Sequence, residues 1–161
     1  MSNQKFEVFS IGQIEASQGQ FGIKIDEPFI SALEGLDDFG FVNIFWWAHQ
    51  LDDKDGRQVK TCAKPYRNGP DQLGIFATRS PARPNPIALT TAAIISVNNQ
   101  EGIIQIPYID ADHGTPVLDL KPYHPSMERI KNVTMPDWCN HWPKWYEDSG
   151  SFDWEAEFTF V

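Results

Sequence analysis

The chain has 161 residues and a mass of 18.3 kDa, with 41% hydrophobic and 22% charged residues, enough for one sizeable core and ordinary for a globular protein. Its net charge of −9 argues against a uniformly basic surface, the usual footprint of a nucleic-acid binder. No segment approaches the roughly 20 apolar residues of a membrane span, and the opening MSNQKFEVFSIGQ lacks the apolar run of a signal peptide, so a cytoplasmic protein with no membrane partner is expected.

In chain order, KFEVFSIGQIEA alternates loosely and predicts a first strand. DEPFISALEGLDDF predicts a short helix around Pro28 to Leu36, with Asp26 or Glu27 at its start and Gly35 near its end. FGFVNIFWWAH is apolar on both parities from Phe39 to Ala48, as expected of a strand covered on both faces. IALTTAAIISV, from Ile87 to Val97, is rich in β-branched residues and stops at NNQEG before IIQIPYID, which predicts a hairpin. His124 to Gly150 is the least regular stretch, and Trp138, Trp142 and Trp145 within it are expected to clamp the tail onto the body, with stacking on a ligand as the alternative. In SFDWEAEFTFV, Phe152, Trp154, Ala156, Phe158 and Phe160 alternate with polar residues and predict a half-buried strand. Many short strands with turn-rich joints predict a mostly-β barrel or sandwich with a few short helices, and the length favours one domain.

Several chemistries lack their residues. None of the eleven glycines forms a dinucleotide or P-loop signature. The four histidines show no metal-ligand spacing, so no metal site is expected, and Cys62 and Cys139 belong to no CxxC pair and read as plain thiols. DADHG lacks the later ligands of a calcium loop, being followed by the apolar TPVLDL.

What remains is a pair of loops. Between Gly74 and Thr90, GIFATRSPARPNPIALT sets Arg79 and Arg83 among three prolines. Proline fixes φ and removes a donor, so the segment is a stiff loop that presents its guanidiniums at low entropic cost, suited to a carboxylate or phosphate. In the other, DADHGTPVLDLKPYHP, a Gly-Thr-Pro turn leads into a strand on which Asp119 and Lys121 share one parity, so they either pair with each other or face a ligand together. Seven basic residues against two acidic ones between Lys54 and Arg83 make this window +5 in an otherwise acidic chain.

GIFATRSPARPNPIALT closely resembles the signature of the TrmO-type tRNA methyltransferase family, also called TsaA-like or YaeB-like, and HGTPVLDLKPY resembles that family's DGTPVLDIKPY. GLDDFGFVNIFWWAHQ is similar to a third family segment, and the likeness runs from about Gly35 to His124. The resemblance implies a small antiparallel, non-Rossmann β-barrel, dimeric, with S-adenosylmethionine near the subunit interface, which methylates N6 of threonylcarbamoyladenosine beside the tRNA anticodon. Over residues 1–161 it implies a single TsaA-like domain carrying a Trp-rich C-terminal extension from about residue 125. By matching motif, His49, Gln50, Arg79, Leu89, His113, Gly114, Thr115 and Pro116 would line the cofactor pocket, with Arg83 and Asn85 toward the substrate. Asp119 is the candidate base or orienter, with Lys121 and Tyr123 positioning the acceptor. Three departures stand out: His113 takes the place of the family's usual Asp, EASQGQFGIKIDEPF lacks an Arg-bearing loop usual after the first strand, and the family's Phe-Ser-His reads Phe39-Gly40-Phe41. A small-molecule acceptor, or S-adenosylmethionine binding without catalysis, are the alternatives.

Overall fold

The computed structural model describes residues 4–159. Strands β1 (Gly12–Ser17), β2 (Gln20–Ile25), β3 (Phe41–Trp47), β6 (Ile87–Ala93), β7 (Ser96–Asn98), β8 (Ile103–Ile106) and β9 (Pro116–Pro122) form one antiparallel sheet in the order β6-β3-β9-β1-β2-β8-β7. A separate two-stranded ribbon pairs β4 (Thr61–Ala63) with β5 (Gln72–Gly74). The two edge strands of the large sheet, β6 and β7, are consecutive in the chain and separated only by Ile94 and Ile95. So short a link spans about 10 Å, so the sheet must curl until its edges approach. Ile94 N–H donates to Gly40 O (2.9 Å) and Ile95 N–H to Gln105 O (2.8 Å) across that corner. The fold is therefore mostly β and barrel-like, without a hydrogen-bonded seam between β6 and β7.

Inward-facing residues alternate along the strands: Ile14 from β1, Ile23 and Ile25 from β2, Val42 and Ile44 from β3, and Ile104 and Ile106 from β8 are buried in one cluster with Ala92 and Val117. The β3–β9 register slips between Phe45, opposite Asp119, and Trp46, opposite Val117, leaving Leu118 as the extra residue of a bulge. Without the bulge Val117 and Asp119 would share a face. With it, Val117 is fully buried while Asp119 turns to the outer face beside Phe45.

Four sequence expectations change in detail. The first strand begins only at Gly12; Phe6, Val8 and Phe9 before it are exposed. The helix near Pro28 is a 3-10 helix (Glu27–Leu33), followed beyond Gly35 by a second 3-10 turn (Leu36–Asp38). The run Ile87–Val97 is two strands, because the chain turns the corner of the curled sheet at Ile94 and Ile95.

The fourth change is the C-terminal strand, which is instead α3 (Trp154–Glu157), preceded by α1 (Pro125–Glu128), a 3-10 turn (Asp137–Cys139) and α2 (Tyr146–Ser149). Asp153 caps α3 by accepting from Ala156 N–H at 3.1 Å. Glu157, assigned by alternation to the wet face, is buried and accepts from Trp142 Nε1 (3.0 Å) and pairs with His141 Nε2 (2.8 Å). Phe160, the last of the alternating residues, lies outside the described residues. Among the described residues no helix is long and apolar enough to cross a membrane.

The tryptophans divide. Trp138 stacks on buried Tyr66 (5.1 Å between centroids) and Trp142 meets it edge-on (5.1 Å), with Trp154 packed on Trp142 (5.4 Å). Backbone bonds from Arg67 N–H to Glu157 O (2.9 Å) and Thr159 N–H to Pro65 O (3.3 Å) tie the tail to the same loop between β4 and β5. Trp145 takes no part in this clamp and is 60% exposed.

Candidate active site

Three chain segments meet at one end of the β6-β3-β9 region, each for a local reason. β3 ends at Ala48, whose N–H donates to Pro86 O (2.8 Å), and the chain then turns through a 3-10 turn, His49–Leu51. The proline loop enters β6 from Pro81 to Pro86, with Pro86 buried. The DADHGTP turn enters β9 through Gly114, whose φ of +82° suits glycine, and it is pinned to β1 by Gly114 N–H to Ile14 O and Ile14 N–H to Thr115 O, both 2.8 Å.

These segments line a cleft of about 160 Å³ formed by Trp46, Ala48, His49, Gln50, Leu51, Pro81, Asp110, Ala111, Asp112 and Thr115. Within it Gln50 Nε2 donates to Asp112 Oδ2 at 2.5 Å, and Thr115 is buried. Of the sequence candidates, His49, Gln50 and Thr115 reach this cleft. His113 does not: its Nδ1 accepts from Ala16 N–H (3.4 Å) at the end of β1. Pro116 sits in the β1–β9 ladder opposite Gln13. The residues that sequence reasoning passed over are Asp110 and Asp112. The acidic run DADHG is the available signal, although it lacks the later ligands of a calcium loop. Asp112 supplies a carboxylate one residue before His113, where the motif departs from the family pattern.

The proline loop is stiffened from three sides. Arg83 donates to Thr78 O (2.7 Å), Ser80 O (2.8 Å) and Ile75 O (3.3 Å), so its guanidinium serves the loop's own carbonyls. Arg57 pairs with Asp52 and also donates to Pro84 O (3.2 Å). That bond from Arg57, with a second from Trp47 Nε1, holds the Asp52 carboxyl below its usual range. Asn85 is exposed, and its carbonyl accepts from Ile87 N–H (2.7 Å). Arg79 is exposed and reaches the open edge of β6, donating through Nη2 to Leu89 O (2.9 Å). Tyr66 faces this loop from the clamped side. Burial pushes its phenol up and nearby Cys62 adds to that, while the backbone N–H and guanidinium of Arg79 pull it down.

On the outer sheet face Leu89, Phe45 and Asp119 stand opposite one another on three neighbouring strands, and Thr91, Asn43 and Lys121 form the next such row. Asp119 pairs with Lys121 at 2.6 Å and its other oxygen accepts from Leu120 N–H (2.9 Å); Lys121 also lies over the Phe45 ring, 5.9 Å from its centroid. Tyr123 continues the row, edge-on to Phe41 at 6.3 Å. Of the basic window, Arg57, Lys64 and Arg83 are engaged within the chain. Among the described residues Lys54, Lys60, Arg67 and Arg79 have no carboxylate within ion-pair distance.

Fold and cleft together define a small β protein whose candidate site is built from loops at one end of a curled antiparallel sheet. The sequence profile of the tRNA-methyltransferase O N-terminal domain matches residues 5–129, and the chain belongs to that family. It is 41% identical over 100 residues to a probable S-adenosyl-L-methionine-binding protein of Halobacterium salinarum, covering 62% of this chain and 73% of that one. It is likewise 41% identical over 106 residues to the human tRNA (adenine(37)-N6)-methyltransferase, covering 65% of this chain but 23% of the relative. The Escherichia coli protein of the same name is 30% identical over 125 residues, with 76% and 52% covered. A crystal structure of TrmO superposes with a TM-score of 0.65 at 26% identity, covering 82% of this chain and 64% of that one. The chain thus spans about a quarter to three quarters of these relatives' lengths, and residues 130–159 lie beyond the family match.

Proposed function

We propose that this protein is an S-adenosylmethionine-dependent methyltransferase acting on N6 of an adenosine beside the tRNA anticodon, with the threonylcarbamoyl-modified nucleoside as acceptor. The observation that carries the reading is the convergence of the three family-like segments, ending at Gln50, leading through Pro81 and closing at Thr115, on one cleft. Named relatives that bind S-adenosylmethionine or methylate tRNA support the cofactor and the reaction class.

The residues fit such a cofactor. Asp110, Asp112 and Gln50 offer acceptors and a donor for ribose and adenine edges, and Trp46 and Leu51 give apolar walls; Arg79, like Leu89, is not among the residues lining the cleft and stands at the edge of β6 as an exposed guanidinium suited to the methionine carboxylate. At about 160 Å³ the cleft is smaller than the about 300 Å³ at which ligand pockets usually begin. We take the protein to be a homodimer, as the family resemblance implies, in which a second copy enlarges this cleft. We take residues 1–161 as one functional domain, with the tail from about residue 125 strapped to it.

When bound, the cofactor supplies an electrophilic methyl group on a sulfonium. Transfer to N6 would form the N6–CH₃ bond at the expense of the C–S bond and leave one proton on that nitrogen for the protein to accept. Positioning supplies much of the rate in such a displacement. In our reading Asp119, turned outward by the bulge and paired with Lys121 at 2.6 Å, takes or orients that proton, while Lys121 and Tyr123 position the acceptor. Equilibrium dialysis with labelled S-adenosylmethionine tests the pocket: Arg79→Ala should lose binding while Asp119→Asn keeps binding and loses turnover. Undiminished turnover by Asp119→Asn would remove it from the chemistry. A small-molecule acceptor is the second reading, favoured by the net charge of −9 and by the engagement of Arg57, Lys64 and Arg83 within the chain.

A further inference from the structure

A groove of about 480 Å³ lies between the outer sheet face and the C-terminal extension, walled by Phe41, Tyr123, Arg129, Lys144, Trp145 and Tyr146. Most of its far wall comes from residues beyond the family match, so it is a feature of this chain's own tail. We propose that this groove docks an unpaired nucleotide of the RNA substrate, its base stacked on Trp145 and Tyr146. The proposal rests on the tRNA reading above and adds where the RNA sits.

Three observations argue for a nucleotide. First, Trp145 and Tyr146 are 60% and 49% exposed, whereas Trp138, Trp142 and Trp154 of the same tail are half-buried against one another. Tyr146 is held edge-on against Phe41 at 5.5 Å, so one side of the platform is rigid. Exposed flat rings of this kind are how proteins hold unstacked bases of RNA loops. Second, the cations at the groove are available. Arg129 lies over the Trp145 ring, 5.8 Å from its centroid, and Lys144 makes only a 3.4 Å contact to Asn140 Oδ1. Among the described residues neither has a carboxylate within ion-pair distance; of the two carboxylates that also line the groove, Glu128 is engaged by Asn43 Nδ2 and His124 N–H, and Glu147 is exposed to solvent. A phosphate or a base edge would satisfy both cations. Third, the groove lies on the sheet face that carries Asp119, although it shares no lining residue with the Gln50–Asp112 cleft. Thr91, which lines it, is two residues from Leu89 on the same face of β6, and Tyr123 is two residues from Lys121 on β9. Two residues of strand span about 7 Å, about one nucleotide step, so an RNA strand in the groove runs directly toward Asp119 and Arg79.

The test is fluorescence anisotropy of the full chain, saturated with S-adenosylhomocysteine, titrated with a labelled RNA stem–loop and with a fully paired RNA duplex of equal length. The stem–loop should bind better than the duplex. Trp145→Ala should weaken the stem–loop about tenfold, with cofactor binding and melting temperature unchanged, and Trp145→Tyr should restore it, because stacking and not the indole itself is required. Arg129→Gln should reduce the slope of log affinity against log salt by about one. Equal stem–loop affinity in Trp145→Ala and wild type would overturn the proposal, as would a loss of dimer in Trp145→Ala without any change in RNA affinity, which would make the face a self-association surface. If wild type methylates tRNA and Trp145→Ala does so equally well, the groove is wrong and the function stands. If wild type binds the cofactor but neither binds the stem–loop nor methylates tRNA, both fall.

Discussion

Arg83→Ala separates two roles for the second arginine of the proline loop. The sequence suggests a substrate-facing residue, while the structure shows a partly buried guanidinium donating to three loop carbonyls at 2.7, 2.8 and 3.3 Å. The longest of these goes to Ile75 O, which keeps two other donors, Thr78 N–H and Thr78 Oγ1, so its loss costs little. The two short bonds come from a charged donor, worth about 1.5–3 kcal/mol each when fully formed. Partial exposure lets water replace some of that, leaving an expected loss of about 2 kcal/mol, or roughly 4–8 °C in melting temperature for a chain of this size. Urea unfolding should show the midpoint fall with the slope unchanged. Arg83→Lys should fail to rescue, because a single ammonium cannot bridge carbonyls held in a fork. A stability change below about 0.5 kcal/mol, together with a selective rise in the acceptor KM, would refute the staple and return Arg83 to the substrate.

Two further outcomes follow from packing and charge. Glu157 is held below its ordinary carboxylate range, first by the bond with His141 and then by Trp142. Its contribution to stability is therefore complete above its unfolded value near 4.5 and is lost as pH falls through the lower folded value, so Glu157→Gln should flatten the acid limb of a melting-temperature profile below about pH 4.5. A Cβ on Gly12 would sit 2.2 Å from Lys24 O and 2.9 Å from Ile25 Cα, backbone atoms that cannot yield without parting β1 from β2. Gly12→Ala should cost about 2–4 kcal/mol in chemical unfolding, whereas an unchanged midpoint would contradict the β1–β2 register.

What could be read from the sequence was local. Proline and glycine punctuation marked the Arg79 loop and the Gly114 turn that leads into β9, an apolar run marked β3 and a β-branched run marked β6, because φ restrictions and side-chain parity act over a few residues. What could not be read depends on distant partners. The outward aim of Asp119 follows from a bulge at Leu118, which exists because β9 must match β3 at both Val117 and Leu120. The break at Ile94 and Ile95 belongs to the corner of the curled sheet, invisible in an unbroken apolar run. The last segment alternates over too few residues to distinguish a strand from a capped helix turn. What decides it is Tyr66, some ninety residues earlier in the chain, around which Trp138, Trp142 and Phe158 assemble. Asp112 became a candidate only when Gln50, far away in sequence, was seen to bond it.

The most direct measurement is incubation of the purified protein with labelled S-adenosylmethionine and hypomodified total tRNA, followed by nucleoside mass spectrometry. The account predicts a methyl group on N6 of threonylcarbamoyladenosine, absent with Arg79→Ala. Saturable cofactor binding with no methylated nucleoside in any tRNA pool would contradict it and move the acceptor to a small molecule.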